Sequence, residues 1–113
     1  HIDDFGGFYQ ISGMKVLIDS TAAEGNRVKS VKVDVAGNGT FVDIADDEKY
    51  TIGGSLYVLL EGGDGITFEG AERLTLKSYL TDDQLLLQYV TKILNGNIPE
   101  SAGKVDGRIS FVE

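Results

Sequence analysis

Arg27-Val28-Lys29-Ser30-Val31-Lys32-Val33-Asp34-Val35 decides the fold class of this 113-residue chain. Val31, Val33 and Val35 alternate with Ser30, Lys32 and Asp34. A period of two in β-branched residues predicts a strand with one apolar face. Just downstream, Ala36-Gly37-Asn38-Gly39 leads into a second β-rich run, Thr40 to Ala45. Asn-Gly between two such runs predicts a hairpin closed by a type I′ turn, which needs positive φ at both central residues. Asp34, Asn38 and Gly39 also fall at positions one, five and six of a calcium-binding loop. Ala36 and Ala45 then stand where that loop needs an acid and a bidentate Glu, so the hairpin is preferred.

Upstream, Phe8 to Ser12 and Met14 to Asp19 read as short strands separated by Gly13, the second with Met14, Val16 and Ile18 on one face. Tyr50 to Gly53, Glu72 to Tyr79 and Gly107 to Val112 also read as strands, and Ile66 to Phe68 as extended chain. The apolar run Leu56 to Leu60 fits a buried strand or a helical turn equally, because periodicity does not separate them over so short a span.

One helix is predicted, Asp82 to Asn95. Thr81 and Gln84 have capping-box spacing, and Asp82 and Asp83 suit the positive end of the helix dipole. Leu85, Leu86, Tyr89, Val90, Ile93 and Leu94 make an apolar stripe read as core, and Asn95-Gly96 stops the helix. The expected fold is therefore a single α+β domain over residues 1–113. Its sheet is mixed and mostly antiparallel, with one main C-terminal helix packed on it.

Composition narrows the function. The formal net charge is −8, from 18 acids against 10 bases. Phosphate backbones demand a basic footprint, so no nucleic acid partner is expected. The apolar runs fall far short of the ~20 residues of a membrane span. The chain has no cysteine, and its single histidine is His1. That excludes disulfide scaffolds, thiolate zinc sites and cysteine catalysis, and leaves no histidine constellation for a metallohydrolase or a Ser-His-Asp enzyme. Paired carboxylates occur at Asp46-Asp47, but Asp46-Asp47-Glu48-Lys49 reads as a solvated turn, not a cleft with a tuned acid.

The stretch with the composition of a ligand loop is Leu60-Glu61-Gly62-Gly63-Asp64-Gly65. Glycine admits positive φ and close approach to the backbone, so an acid set among glycines can meet a ligand at short range. The same residues also make an ordinary tight turn with Asp64 in an Asx hydrogen bond.

Four pieces occur together in order: Gly7-Phe8-Tyr9-Gln10-Ile11-Ser12-Gly13-Met14, Arg27-Val28-Lys29-Ser30-Val31, Gly62-Gly63-Asp64-Gly65 and Gly107-Arg108-Ile109. They resemble the C-terminal domain of the 5′-nucleotidase family, which includes bacterial UDP-sugar hydrolases and cell-surface ecto-5′-nucleotidases. The resemblance implies a division of labour. An N-terminal metallophosphoesterase domain holds two divalent metal ions and hydrolyses the phosphate ester, while the C-terminal domain binds the nucleoside. It further implies an extracellular, periplasmic or cell-wall location. Asp64 matches the acid that hydrogen-bonds the ribose, and Gly62 and Gly63 match the loop that lets the sugar approach. The base-stacking aromatic of the family stands four residues before the first of these glycines, where this chain has Val58. Tyr57, one residue earlier, is the substitute, and in a strand a one-residue shift would turn its ring to the opposite face.

The family's other stacking aromatic lies upstream of the Gly-Phe-Tyr-Gln segment. The resemblance therefore implies that His1 falls inside the domain, and that a sheet edge or apolar patch left open there favours a homodimer. Two functions follow. One is the nucleoside-binding domain of a nucleotide-hydrolysing enzyme, with Asp64, Gly62, Gly63 and Tyr57 as binding residues and no catalytic group of its own. The other is an interaction module of an exported protein that has lost the nucleoside site.

Overall fold

The computed structural model describes residues 8–74 and 79–113. These fall into two compact units: a sheet unit of residues 8–52 and 105–113, and a helical unit within residues 53–104.

The sheet unit holds β1 (Met14–Ile18), β2 (Val28–Val33), β3 (Val42–Asp43) and β4 (Ile109–Phe111) in the order β3-β2-β1-β4. β1 and β2 are antiparallel, with Met14 opposite Val33 and Val16 opposite Val31, so the apolar alternations of the two strands share a face. β3 adds antiparallel to β2, and β4 adds parallel to β1 with Val16 opposite Ile109. The sheet is thus mixed and mostly antiparallel, as the alternation predicts, and with the helix it makes an α+β chain. Val33, at 7% exposure, is the most deeply buried apolar side chain among the described residues.

The opposite face sets Lys15 directly across from Lys32. Like charges so placed repel. Each is paired off elsewhere: Lys15 Nζ lies 4.4 Å from the centre of the Phe41 ring, and Lys32 Nζ 3.3 Å from an Asp43 carboxylate oxygen. β4 is tied in by backbone bonds from Val16 N–H to the Arg108 carbonyl and from Val112 N–H to the Ile18 carbonyl, both 2.8 Å. Arg108 adds a side-chain bond from Nη1 to the Ile11 carbonyl at 2.7 Å and an ion pair with Asp106 at 2.6 Å.

Three strand expectations in this unit are corrected. Phe8 to Ile11 is irregular and Ser12-Gly13 bends, with Gly13 at φ +70°. There the Ile11 carbonyl is taken by Arg108 and the Gly13 carbonyl accepts from Asp34 N–H at 2.9 Å, so no ladder forms. The hairpin exists, but its connection is a wide loop over 34–41, not a tight Asn-Gly turn. Gly37 and Gly39 carry the positive φ angles and Asn38 does not. The Asp34 carboxylate causes this, accepting from Asn38 N–H at 3.1 Å and Gly39 N–H at 2.7 Å. Finally, Tyr50 to Gly53 is no strand. The Tyr50 hydroxyl accepts from Ala45 N–H at 3.1 Å, closing a loop around the exposed Asp46-Asp47 turn.

In the helical unit, Leu56–Leu59 forms a single helical turn, α1, which resolves the ambiguity of that run. Ser55 caps it, its hydroxyl accepting from Val58 N–H at 3.4 Å. Ile66 to Phe68 joins no ladder. The Glu72 to Tyr79 strand falls partly on Thr75 to Ser78, outside the described residues, and its described flanks are irregular. α2 (Asp82–Gln88) starts where the cap pattern predicts, with Thr81 N–H donating to the Gln84 side chain at 3.1 Å. A π-helical turn, Tyr89–Ile93, continues it, and Asn95 (φ +51°) and Gly96 (φ +75°) end it.

The stripe read as core is corrected. It is exposed at Leu85, Leu86, Tyr89 and Ile93, and only half-buried at Val90 and Leu94. The π turn shifts the side chains after Gln88 relative to those before it. Among the described residues no helix is long and apolar enough to cross a membrane.

Burial predicts where stability resides. Val33→Ala should cost about 2 kcal/mol in urea unfolding, from two methyl groups and the space they leave. Val35→Ala, at a side chain 74% exposed, should stay within about 0.5 kcal/mol.

Acid should weaken the fold in a defined direction. The Thr21 hydroxyl and N–H, then Lys29, hold the Asp19 carboxyl below its usual range, and the Arg108 side chain does the same for Asp106. Folded-state values below the unfolded ones stabilise above the ordinary carboxylate range, and that gain is lost as pH falls through the folded values. The thermal midpoint should therefore drop on acidification below about pH 4, and less steeply in an Asp19→Asn, Asp106→Asn double variant.

Candidate functional site

The run Gly62-Gly63-Asp64-Gly65 follows α1 directly and folds as a tight turn in left-handed backbone. Gly62 sits at φ +68°, ψ 32°, and Gly65 at φ +79°. Two bonds close it, from Gly65 N–H to the Gly62 carbonyl at 3.1 Å and from Ile66 N–H to the Gly63 carbonyl at 3.2 Å. Asp64 stands between the glycines at φ +54°, ψ 25°. An L residue in this region costs roughly 1–2 kcal/mol, and Asp tolerates it better than most. Only Asp64 and Asn95 among the described non-glycine residues have positive φ, and Asn95 is a helix stop. A strained carboxylate in an exposed turn is the kind of position at which function keeps a costly geometry.

Gly63 is buried, and Tyr57 is the reason. A Cβ placed on Gly63 would lie 2.4 Å from Tyr57 Cε1, 2.5 Å from Cδ1 and 2.9 Å from Cζ. The ring fills the space that any other residue would need at this position. Tyr57 itself is 56% exposed and Asp64 is exposed, so an aromatic ring, two glycines and a carboxylate share one accessible corner.

The structure thus brings together the four residues singled out from sequence: Tyr57, Gly62, Gly63 and Asp64. The expected turn of the ring to the opposite face does not apply, because α1 is helical. In a helix one residue rotates a side chain by about 100°, not 180°. Tyr57, not Val58, meets the glycine turn. Sequence reading missed the Tyr57–Gly63 contact itself. The trace it leaves is a Gly-Gly pair six positions after an aromatic, legible only once the intervening run is known to be helical.

Among the described residues no three His, Cys, Asp or Glu side chains come together as a metal site. Asp46 and Asp47 sit exposed in their turn.

A mixed four-stranded sheet and a glycine-framed carboxylate turn belong to one small α+β chain. The family profile described as 5′-nucleotidase, C-terminal domain, matches residues 3–71, and the chain belongs to that family. The match takes in β1 to β3, α1 and the glycine turn. The Gly107-Arg108-Ile109 segment lies beyond it. No curated protein and no solved structure matches the chain.

The geometry of Asp64 is open to measurement. Asp64→Val forces a β-branched residue into left-handed backbone and should lower stability by about 1–2 kcal/mol. Asp64→Gly removes the strain and should leave stability unchanged or raised, as read by urea unfolding.

Proposed function

We propose that this chain is the nucleoside-binding part of a 5′-nucleotidase-like phosphoric ester hydrolase. In this reading Asp64 accepts hydrogen bonds from the ribose hydroxyls. Gly62 and Gly65 let the sugar reach the carboxylate, and Tyr57 stands beside it. The chain supplies no catalytic group. Two divalent metal ions and the hydrolytic step belong to a metallophosphoesterase domain on its N-terminal side, in a protein exported from the cell. The observation that carries the reading is Asp64 held at φ +54° in a turn bounded by the positive-φ Gly62 and Gly65, with the Tyr57 ring against Gly63.

A second reading has support in Val58. With no ring at the family's stacking position, a base would lose an interaction of ~1–3 kcal/mol. The exposed Leu85, Leu86, Tyr89 and Ile93 of the α2 segment suit an interaction module instead.

AMP titration of the full chain, followed by amide NMR, separates the two. Millimolar AMP should move the resonances of Gly62, Gly63, Asp64 and Gly65, and Asp64→Ala should abolish the movement. Resonances that stay fixed in the unaltered chain would leave the interaction module standing.

A further inference from the structure

We infer that Tyr57 is a positioning residue for Asp64, acting through Gly63, and not a platform for the base. This rests on the nucleoside-site reading above. The Tyr57 ring lies where the Gly63 side chain would be, with three of its atoms 2.4–2.9 Å from that Cβ position. Gly63 is buried beneath it, while Gly62, Asp64 and Gly65 around it are not.

Gly63 immediately precedes Asp64, and its own φ is not in the left-handed region. Its glycine identity is therefore explained by the ring, not by the backbone angle. Gly62 and Gly65 meet no side chain at their Cβ positions and owe their identity to φ of +68° and +79°. The turn thus uses its glycines in two ways. The outer two permit the left-handed path, and the inner one admits the ring that holds it.

Tyr57 is the second residue of α1, whose start is set by Ser55 and whose bonds run from Leu59 N–H to the Ser55 carbonyl at 3.0 Å and from Leu60 N–H to the Leu56 carbonyl at 2.9 Å. The ring is in this way fixed to a hydrogen-bonded element and pressed on the residue before the carboxylate. Removing it frees Asp64 to relax toward ordinary backbone, at the expense of whatever binds the left-handed form. A ligand recognised mainly through its ribose would feel that loss whether or not it carried a base.

The test compares two ligands on the full chain, AMP and ribose 5-phosphate. Tyr57→Ala should weaken both by the same factor, about tenfold for the strain released. Tyr57→Phe should bind as the unaltered chain does, because the ring and not the hydroxyl fills the notch. Weakening of AMP alone would overturn the inference and make Tyr57 a stacking residue. Gly63→Ala, which drives a methyl group into the ring, should match the loss in Tyr57→Ala. The double variant should be no worse than either single change, since both break one contact. Losses that multiply would refute the coupling.

A ligand-free reading keeps the inference separable from the function. The Gly63 Hα resonances should be shifted by the ring current, and the Asp64 amide coupling should report left-handed backbone. Both signatures should vanish in Tyr57→Ala while the amide resonances of β1 and β2 stay put. If neither nucleotide nor sugar phosphate binds the unaltered chain, the function fails, and these signatures still decide whether Tyr57 holds Asp64. Their survival in Tyr57→Ala would reject it.

Discussion

β1 is hydrogen-bonded on both edges, and the sheet unit depends on that double pairing. On one side it takes β2 antiparallel, a neighbour reached through a short loop; on the other it takes β4 parallel. Burial is scarce: among the described residues only Val33 and Gly63 are buried, and Val33 keeps 7% exposure. Apolar burial therefore carries less of the organisation here than backbone pairing and the side chains that complete it, Asp34 in the wide loop and Arg108 at the β4 junction. Each serves a backbone group that would otherwise need water or another strand.

The helical unit follows a different rule. Its elements are a single turn, a short helix with a π-helical continuation and two 3₁₀ turns, so most of its order is local. Caps and tight turns define it: Ser55 before α1, Gln84 reaching back to Thr81, and the glycine turn that carries Asp64. The carboxylate sits at the point where local rules are bent furthest, a non-glycine residue in left-handed backbone. The span matched by the 5′-nucleotidase C-terminal domain family includes this turn.

The α+β class, the alternation in β1 and β2, the start of α2 and the family were legible from the residues. These features are written locally, in period, cap spacing and motif order. What was not legible depended on competition. Asn38-Gly39 carries the residues of a tight hairpin, but the Asp34 carboxylate outbid that turn for the same N–H groups. Phe8 to Ser12 alternates like a strand, yet its Ile11 carbonyl is claimed by Arg108 from far along the chain. Leu56 to Leu60 had to be helical for Tyr57 to meet Gly63, and five apolar residues do not state their period. The π turn after Gln88 is invisible to any heptad count, and it changes the period of a stripe that the sequence presents as continuous. Tyr57 and Gly63 are singled out by the residues alone; their contact is not.

The parallel pairing of β4 with β1 has a consequence for how the chain comes together. The Arg108 side chain reaches a carbonyl 97 residues away. Closing a flexible loop of that length costs about 4 kcal/mol in chain entropy beyond a constant, whereas the β1–β2 pair closes over a short connection. The antiparallel pair can form as soon as residues 14–33 have been made. β4 forms only once residues 109–111 have been made, with the residues of the helical unit between it and β2. Until then one edge of β1 stays unpaired.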